Sequence, residues 1–379
     1  MARYYWDAKS VLSNLSTLKK AIKKEKDPLK KMALEEQYDR INAAIYRSFS
    51  MPDSKLPLTK RIPEVFYSFL ANQRYFKLLS VFEDCFEGNI KEFDEAYKLS
   101  GSISDEIARA TGVHVGKTQA VSLCYDFYKE LDDEFFEYFK KFYDQRFSHL
   151  RFLKEIPSSD LSTTLGQQRY IYGLNTSYVD IAGANTPNLV ITLIHEGGHV
   201  LDNHYNPENL LESDYFYEVA SLFMELVAYY KKTGNFEDLV YHFLMADNIG
   251  KISCDSENGY DLNSLMVLYR DNNYTINDEF YKSASEEYGF SRKKINSFVD
   301  SNVIDDIVYP ISLPLALYFF HIYKNDEKKG LEELKKFLKT VERDNYIPLF
   351  QSDEVKDIAS GEIKKILVDA RDCFKGYKK

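Results

Sequence analysis

The spacing of apolar residues over the first 150 positions predicts a series of amphipathic helices. Apolar side chains recur there every three or four residues among Lys, Glu and Asp, which is the spacing of one helix face. Short breaks such as Met51-Pro52-Asp53 and Gly101-Ser102 separate the segments. We predict helices over 7–24, 29–49, 63–86, 90–99 and 117–147.

The pattern changes between residues 168 and 183, where β-branched and aromatic residues replace the helical spacing. Gly173 and Asn175 interrupt this run, so we predict a short strand pair. One strand can offer its edge to an extended peptide, or the pair can simply pack as a hairpin on the helix that follows. The sequence leaves both interpretations open.

Helical spacing resumes at Pro187, which we place at the first helical position after an N-cap at Thr186. A second helix is predicted from Leu210 to about residue 232. Pro310 and Pro314 are expected to break or kink the apolar segment 308–321. Further helices are predicted over 236–247, 261–270, 276–287, 291–300, 331–343 and 353–375.

The predicted fold class is therefore mostly α, with a small β-sheet or hairpin beside a central helix. We divide the chain into an N-terminal helical region, 1–160, and a second region, 161–379, that carries the candidate chemistry. The two regions can also form one continuous domain.

The candidate chemistry lies in the pentapeptide HEGGH at 195–199, which has the pattern H-E-x-x-H. Residues four apart lie on one helix face, so His195 and His199 can bind one metal ion, while Glu196 can polarise an attacking water. Six mostly apolar residues precede the motif and indicate a buried helix. Two glycines inside it cost about 1 kcal/mol each relative to Ala, which indicates close backbone approach. We predict a zinc site.

A third ligand is expected from the second predicted helix. Glu218 follows His199 with eighteen residues between them, and Ser221 and Glu225 lie three and seven residues further on. These spacings put the three side chains on one helix face, so Ser221 or Glu225 can orient a ligand. The acids that compete with Glu218 are Glu208, Glu212 and Asp214. We place His204 near the cleft but not on the metal.

The composition excludes several classes of protein. A net charge of −10 without a dominant basic block argues against a nucleic-acid partner. We find neither a secretory signal nor an apolar run long enough to span a membrane. The four cysteines are far apart and form no C-x-x-C motif, so we expect free thiols and a cytoplasmic protein. The four are Cys85, Cys124, Cys254 and Cys373.

The motifs resemble those of the thimet oligopeptidase/oligoendopeptidase F family of zinc metallopeptidases. HEGGH at 195–199 resembles the family's H-E-[FL]-G-H, and EVASLFME at 218–225 is very close to its second-helix motif. The segment that begins at Tyr309 resembles, more loosely, the family's Y-A-T-G or Y-G-A-G segment. The resemblance is strong over about 185–230 and weak over about 165–320.

The resemblance implies that His195, His199 and Glu218 bind one Zn²⁺ per chain and that Glu196 is the general base. It also implies that Tyr309, or a neighbouring tyrosine, donates to the tetrahedral oxyanion. The strand region that ends at Gly183 lies where the family binds its substrate, so we expect Tyr178 and Gly183 to bind the peptide.

The sequence also departs from the family pattern. Gly197 replaces a bulky residue, and the loop between the two motifs is several residues shorter. No histidine lies between His242 and His321, where the family has one before its tyrosine segment. The chain is also well short of a typical member. These differences bear on how the transition state is stabilised and on whether a deep channel is present.

The predicted function is therefore that of a zinc metalloendopeptidase that hydrolyses short extended peptides through a zinc-activated water and Glu196. One alternative is a zinc carboxypeptidase, for which Arg169 or Arg270 would hold the substrate carboxylate. The other is an inactive relative that binds peptides. The sequence predicts no membrane partner and does not indicate an oligomeric state.

Overall fold

The computed structural model describes residues 8–26, 31, 34, 38, 74–144, 150–153, 165–171, 176–182, 185–206, 215–300 and 303–377. These residues form a mostly helical fold with one small sheet, as predicted. The helices before the sheet are α1 (Ala8–Lys24), α2 (Arg74–Glu87), α3 (Ile90–Ser102), α4 (Ser104–Thr111), α5 (Lys117–Leu131) and α6 (Asp133–Asp144).

The helices after the sheet run to the C-terminal part of the chain. They are α7 (Asn188–Tyr205), α8 (Val219–Tyr230), α9 (Asp238–Asp271), α10 (Asp278–Tyr288), α11 (Arg292–Asp300), α12 (Val303–Asn325), α13 (Glu327–Lys339), α14 (Ile347–Phe350) and α15 (Asp353–Tyr377). A 3₁₀ turn, Arg343–Tyr346, precedes α14.

The sheet has three described strands, one more than the sequence predicts. They are β1 (Leu150–Leu153), β2 (Gly166–Ile171) and β3 (Thr176–Ala182), in the order β1-β3-β2. The predicted pair is β2 and β3, which are antiparallel, whereas β1 pairs parallel with β3. In that pairing Arg151 lies opposite Asp180 and forms an ion pair with it. Four residues are too few to show a strand period, so β1 was missed.

The predicted helix over 117–147 is interrupted. Asp132 separates α5 from α6 because its backbone is extended, and its side-chain Oδ1 accepts a hydrogen bond from the backbone N–H of Phe135. This is an N-cap, which aspartate favours because its carboxylate satisfies an orphan donor of the new helix. Of the predicted helix over 29–49, only residues 31, 34 and 38 are described, and the first part of 63–86 lies outside the described residues.

Two predictions in the C-terminal half were wrong because tertiary packing outweighs local signals. The two helices predicted over 236–247 and 261–270 form the single helix α9, which packs on α12 and α15. Of the break or kink predicted at Pro310 and Pro314, the break was wrong, because α12 continues through both prolines. Its contacts with α2, α8, α9, α13 and α15 offset the roughly 3 kcal/mol that an internal proline costs.

α7 and α8 occupy the centre of the molecule. α7 contacts α5, α6 and α8 as well as β2 and β3, whereas α8 contacts α12. Every residue of α8 from Val219 to Tyr229 is buried, and α7 is buried over most of its length. A helix that is apolar on all sides needs such surroundings. α7 begins at Asn188, and Pro187 already has helical angles, so the proline lies in the first turn as predicted.

The main core is one continuous cluster of apolar side chains drawn from α2 to α15. The division near residue 160 stays a prediction.

All four cysteines lie in the described part of the chain and are free thiols, as expected. Of the helices that the structure describes, none combines the length and the apolar character that a membrane crossing requires.

Candidate metal centre

α7 presents His195 and His199 on one face, where both side chains are buried. Their rings lie 4.9 Å apart between centroids and are nearly perpendicular. The spacing of four residues produces this arrangement, as the sequence predicts. Two imidazoles whose ring nitrogens face one buried space can hold a single metal ion.

Glu218 completes the cluster from the start of α8. It is the residue that precedes α8, so the predicted helix start at Leu210 was wrong: residues 215–218 form turns, and 207–214 lie outside the described residues. The Oε2 atom of Glu218 lies 3.3 Å from Nε2 of His195 and 3.1 Å from Nε2 of His199. Among the described residues, these three form a group whose ligand atoms all lie within 4.8 Å of one another.

Two further side chains of α8 hold this group in place. Oγ of Ser221 donates a hydrogen bond of 2.7 Å to Oε2 of Glu218, and Nδ1 of His195 lies 2.7 Å from Oε1 of Glu225. Because a carboxylate only accepts, Nδ1 of His195 carries a proton, and its Nε2 is the ring nitrogen that faces Glu218. The structure therefore places Glu218, Ser221 and Glu225 on one face, as predicted.

Gly198 allows α7 and α8 to cross at backbone contact. A Cβ atom on Gly198 would lie 2.6 Å from Cα and 2.8 Å from N of Ser221. No side chain can move to make room there, since both atoms belong to the backbone of α8. The close backbone approach that the two glycines indicate in the sequence is therefore confirmed at Gly198.

Replacing Gly198 with Ala is expected to destabilise the fold and weaken metal binding together. Overpacking of this kind costs about 1–3 kcal/mol, and separating the helices moves Glu218 away from His195. Thermal unfolding and zinc affinity of the variant measure the two effects. Gly361→Ala in α15 is the control, because its added Cβ meets nothing within 4 Å. Wild-type stability and wild-type zinc affinity in Gly198→Ala would contradict the assigned crossing.

Gly197 faces a different side of α7 and makes room for Tyr128 of α5. A Cβ on Gly197 would lie 2.5 Å from the Tyr128 hydroxyl, which donates a hydrogen bond of 2.7 Å to the carbonyl of Ile194. Tyr128 is fully buried. Its ring occupies the space that a bulky residue at 197 would need, which explains that departure from the family motif.

The charges of the cluster are strongly coupled. Burial lowers the pKa of His195, but hydrogen bonds to Glu218 and Glu225 outweigh burial, so the pKa lies well above its ordinary value. Burial raises the pKa of Glu218, but the imidazoles of His199 and His195 outweigh it, so that pKa lies below its usual range. A buried, ionised carboxylate such as that of Glu218 favours binding of a cation beside it.

Glu196 lies beside the cluster and is also buried. Burial raises its pKa to about 7, while the imidazoles of His195 and His199 oppose the shift. The backbone of β2 packs directly on this carboxylate, because a Cβ on Gly166 would overlap Oε1 of Glu196. Glu196 is therefore held between α7 and the sheet.

Tyr309 lies close to the cluster, on the side of α12. Its ring is nearly parallel to the ring of His195, with 6.2 Å between centroids. It lies in α12, which continues through both prolines. Its role in the reaction stays a prediction.

Sequence reasoning missed three residues that connect the sheet to the cluster. The Tyr217 ring stacks on His199 at 4.4 Å, and its hydroxyl donates a 3.1 Å hydrogen bond to Oε1 of Gln168 in β2. Asn203 donates to the same oxygen and to the carbonyl of His199. The spacing of four between His199 and Asn203 was an available signal, whereas nothing local marks Gln168.

Of the two predicted substrate residues, one lies in a described strand. Tyr178 is in β3 opposite Arg169 of β2, while Gly183 lies outside the described residues. Among the described strands β2 is at one edge of the sheet and contacts α7. Binding of a peptide at Tyr178 and Gly183 therefore stays a prediction.

The other candidates that the structure describes do not join the cluster. The competing acids at 208, 212 and 214 lie outside the described residues. His204 stacks on Tyr138, with 3.7 Å between centroids. Arg270, one candidate for binding a substrate carboxylate, is half exposed and pairs with Asp271.

The residues present fit a zinc ion. A tetrahedral zinc ion with bonds of about 2.0–2.1 Å separates its ligand atoms by about 3.3 Å, close to the two distances from Glu218. Nδ1 of His199 and Oε2 of Glu196 are buried and have no hydrogen-bond partner among the described residues. The His-His-Glu donor set with Glu196 alongside matches a catalytic site, which keeps one coordination position for water or substrate.

Comparison with known proteins gives a match in structure but not in sequence. No protein-family model matches the chain, and no curated protein matches it. A candidate peptidase from Chlamydophila abortus has a TM-score of 0.51 at 14% identity over 79% of this chain and 55% of its own. A candidate oligoendopeptidase F has a TM-score of 0.52 at 11% identity, covering 94% of this chain and 71% of its own.

At identities this low the likeness establishes the fold and not the activity. The chain spans little more than half the length of the Chlamydophila abortus structure. The predicted fold class and the resemblance stated from the motifs are confirmed at this level. The chain therefore has the helical fold of the oligoendopeptidase F-like structures, with a His-His-Glu cluster on its two central helices.

Proposed function

We propose that this protein is a zinc-dependent metalloendopeptidase that hydrolyses short extended peptides. One observation carries the proposal: His195, His199 and Glu218 converge in a buried cluster with the carboxylate of Glu196 beside it. Structural zinc sites fill all four positions with protein side chains, whereas three ligands and an adjacent acid are typical of hydrolytic sites.

His195, His199 and Glu218 would hold the ion. A bound zinc ion supplies Lewis acidity and makes water a nucleophile at neutral pH. Glu225 holds His195 with its Nε2 directed to the cluster, and Ser221 holds the carboxylate of Glu218. Such outer hydrogen bonds fix the orientation of ligands and increase metal affinity.

Glu196 is the general base in this proposal. It takes a proton from the attacking water and returns it to the leaving amine, so one carboxylate serves both steps. Packing of β2 on Glu196 restricts the movement of this carboxylate, which would hold it ready for proton transfer. Tyr309, beside His195, donates a hydrogen bond to the oxyanion that develops on the scissile carbonyl.

The substrate class follows from burial and from the sheet. His195, His199, Glu218 and Glu196 are each less than a tenth exposed, which excludes a folded protein from the reacting groups. An extended peptide can lie beside the sheet with backbone hydrogen bonds, near Tyr178 and Gly183. Free thiols at all four cysteines fit work in the reducing cytoplasm.

Metal removal tests this proposal. We expect the purified protein to contain one zinc ion per chain and to cleave a short internally quenched peptide. Treatment with a strong chelator should abolish cleavage, and added Zn²⁺ should restore it. Elemental analysis measures the metal, and mass spectrometry identifies the products.

The products also decide between the two modes of cleavage. A peptide blocked at its C-terminus is still cleaved internally by an endopeptidase, whereas a carboxypeptidase leaves it intact. A protein without zinc would contradict the metal site. A protein that binds zinc but cleaves nothing in a diverse peptide pool would instead be the inactive, peptide-binding relative.

A further inference from the structure

The carboxylate of Glu225 has a second partner, Asn248 of α9. One oxygen, Oε1, faces Nδ1 of His195, and the other, Oε2, accepts a hydrogen bond of 2.5 Å from Nδ2 of Asn248. Glu225 is buried, whereas Asn248 is half-buried. A continuous chain of two short hydrogen bonds therefore joins the metal cluster to α9, a helix that contributes no ligand.

The surroundings of this pair leave few other donors for Glu225. A small cavity beside the pair is lined mostly by aliphatic side chains, including Leu222, Ile249 and Leu317. Of the described residues that line it, the polar ones are Glu225, Asn248 and Tyr229. An oxygen that loses its donor in such surroundings keeps its desolvation cost of about 1–3 kcal/mol.

We propose that Asn248 is a positioning residue that orients His195 for zinc through Glu225. With Oε2 held by Asn248, the carboxylate cannot rotate, and Oε1 stays aligned with His195. The imidazole in turn keeps its Nε2 directed at the cluster. The proposal rests on the proposed metal function, since it concerns how tightly His195 is presented to a zinc ion.

An isosteric change can test this contact. The Asn248 amide is the donor, and Oε2 of the Glu225 carboxylate is the acceptor. An aspartate at position 248 has nearly the same shape but donates nothing, and it brings a second negative charge against Glu225. The isosteric change therefore separates hydrogen bonding from packing.

Zinc affinity, measured by competition with a coloured chelator, tests the role without relying on catalysis. Loss of an outer partner of a metal ligand weakens binding about 10–100-fold, so we expect about tenfold for Asn248→Ala and more for Asn248→Asp. The visible spectrum of the Co²⁺-substituted protein should change as well, because it reports ligand geometry. Met245→Ala, which alters the same cavity, should leave both unchanged.

A double-mutant cycle decides whether Asn248 acts through Glu225. In a Glu225→Gln background, Asn248→Ala should change zinc affinity by less than about twofold, since the carboxylate that Asn248 holds is already absent. Full additivity, or wild-type zinc affinity in Asn248→Asp, would overturn the positioning role. A wild-type protein that binds no zinc would instead contradict the proposed function. If Asn248→Asp does not fold, Asn248→Ala and the cycle still give the answer.

Discussion

Replacing Glu196 with Gln should lower the rate of peptide cleavage by about 10²–10⁴-fold while the zinc content stays at the wild-type level. Gln has the same shape but cannot take a proton from water. The carboxylate is buried between α7 and β2, and its Oε2 atom has no hydrogen-bond partner among the described residues. The rate is measured with an internally quenched peptide and the metal by elemental analysis.

The control for this variant is a glutamate far from the cluster. Glu286 of α10 is exposed, and among the described residues it forms a 3.9 Å ion pair with Lys282, so Glu286→Gln should keep the wild-type rate. Loss of zinc in Glu196→Gln would mean that Glu196 binds the metal. Unchanged cleavage with zinc bound would exclude Glu196 as the base.

Replacing Arg343 with Met should lower the free energy of unfolding by about 3–5 kcal/mol, since the change leaves a buried carboxylate without its partner. Arg343 and Asp202 are each about 5% exposed and are joined by two hydrogen bonds, one of 3.0 Å between Nη1 and Oδ2. The guanidinium also lies over the ring of Phe337. Asp202 lies in α7, three residues after His199. The ion pair between Arg343 and Asp202 therefore joins α7 to the C-terminal part of the chain. Urea unfolding of the metal-free protein measures the loss.

The double variant Asp202→Leu with Arg343→Met is the matched control. With neither charge buried, the desolvation cost disappears, and we expect most of the lost stability to return. Arg343→Met with the same stability as wild type would show that the pair contributes nothing. A double variant as unstable as the single one would assign the effect to packing on Phe337.

The helix α7 could be predicted because the signals that mark it are local in the sequence. The spacing of four brings His195 and His199 to one face of any helix, and the apolar run before them indicates burial. A close backbone approach was also predicted, because glycines inside a helix are unfavourable unless a backbone lies against them. At Gly198 that backbone belongs to Ser221. The position of the third ligand, Glu218, followed from spacing and from the resemblance.

Other features were not predictable because distant segments decide them. The strand β1 exists because β3 offers it a parallel partner, and α12 continues through two prolines because five helices surround it. The residues that hydrogen-bond to the neighbours of the candidate ligands were also unpredictable. Gln168 and Asn248 each lie in an element of their own, and only the packed fold brings them to Tyr217 and Glu225.

The sequence by itself determined the mostly helical class, the buried helix with its two histidines and an acid, and the candidate third ligand. The periodicity of apolar residues and the spacing of candidate ligands are properties of a single helix or strand. They can therefore be recognised without knowing what packs against that element. The tertiary structure alone decided which atoms meet. It brought Oε2 of Glu218 within 3.3 Å of both imidazoles and connected Glu225 to α9. Contacts between elements depend on how helices cross, and at this centre a single glycine sets the crossing.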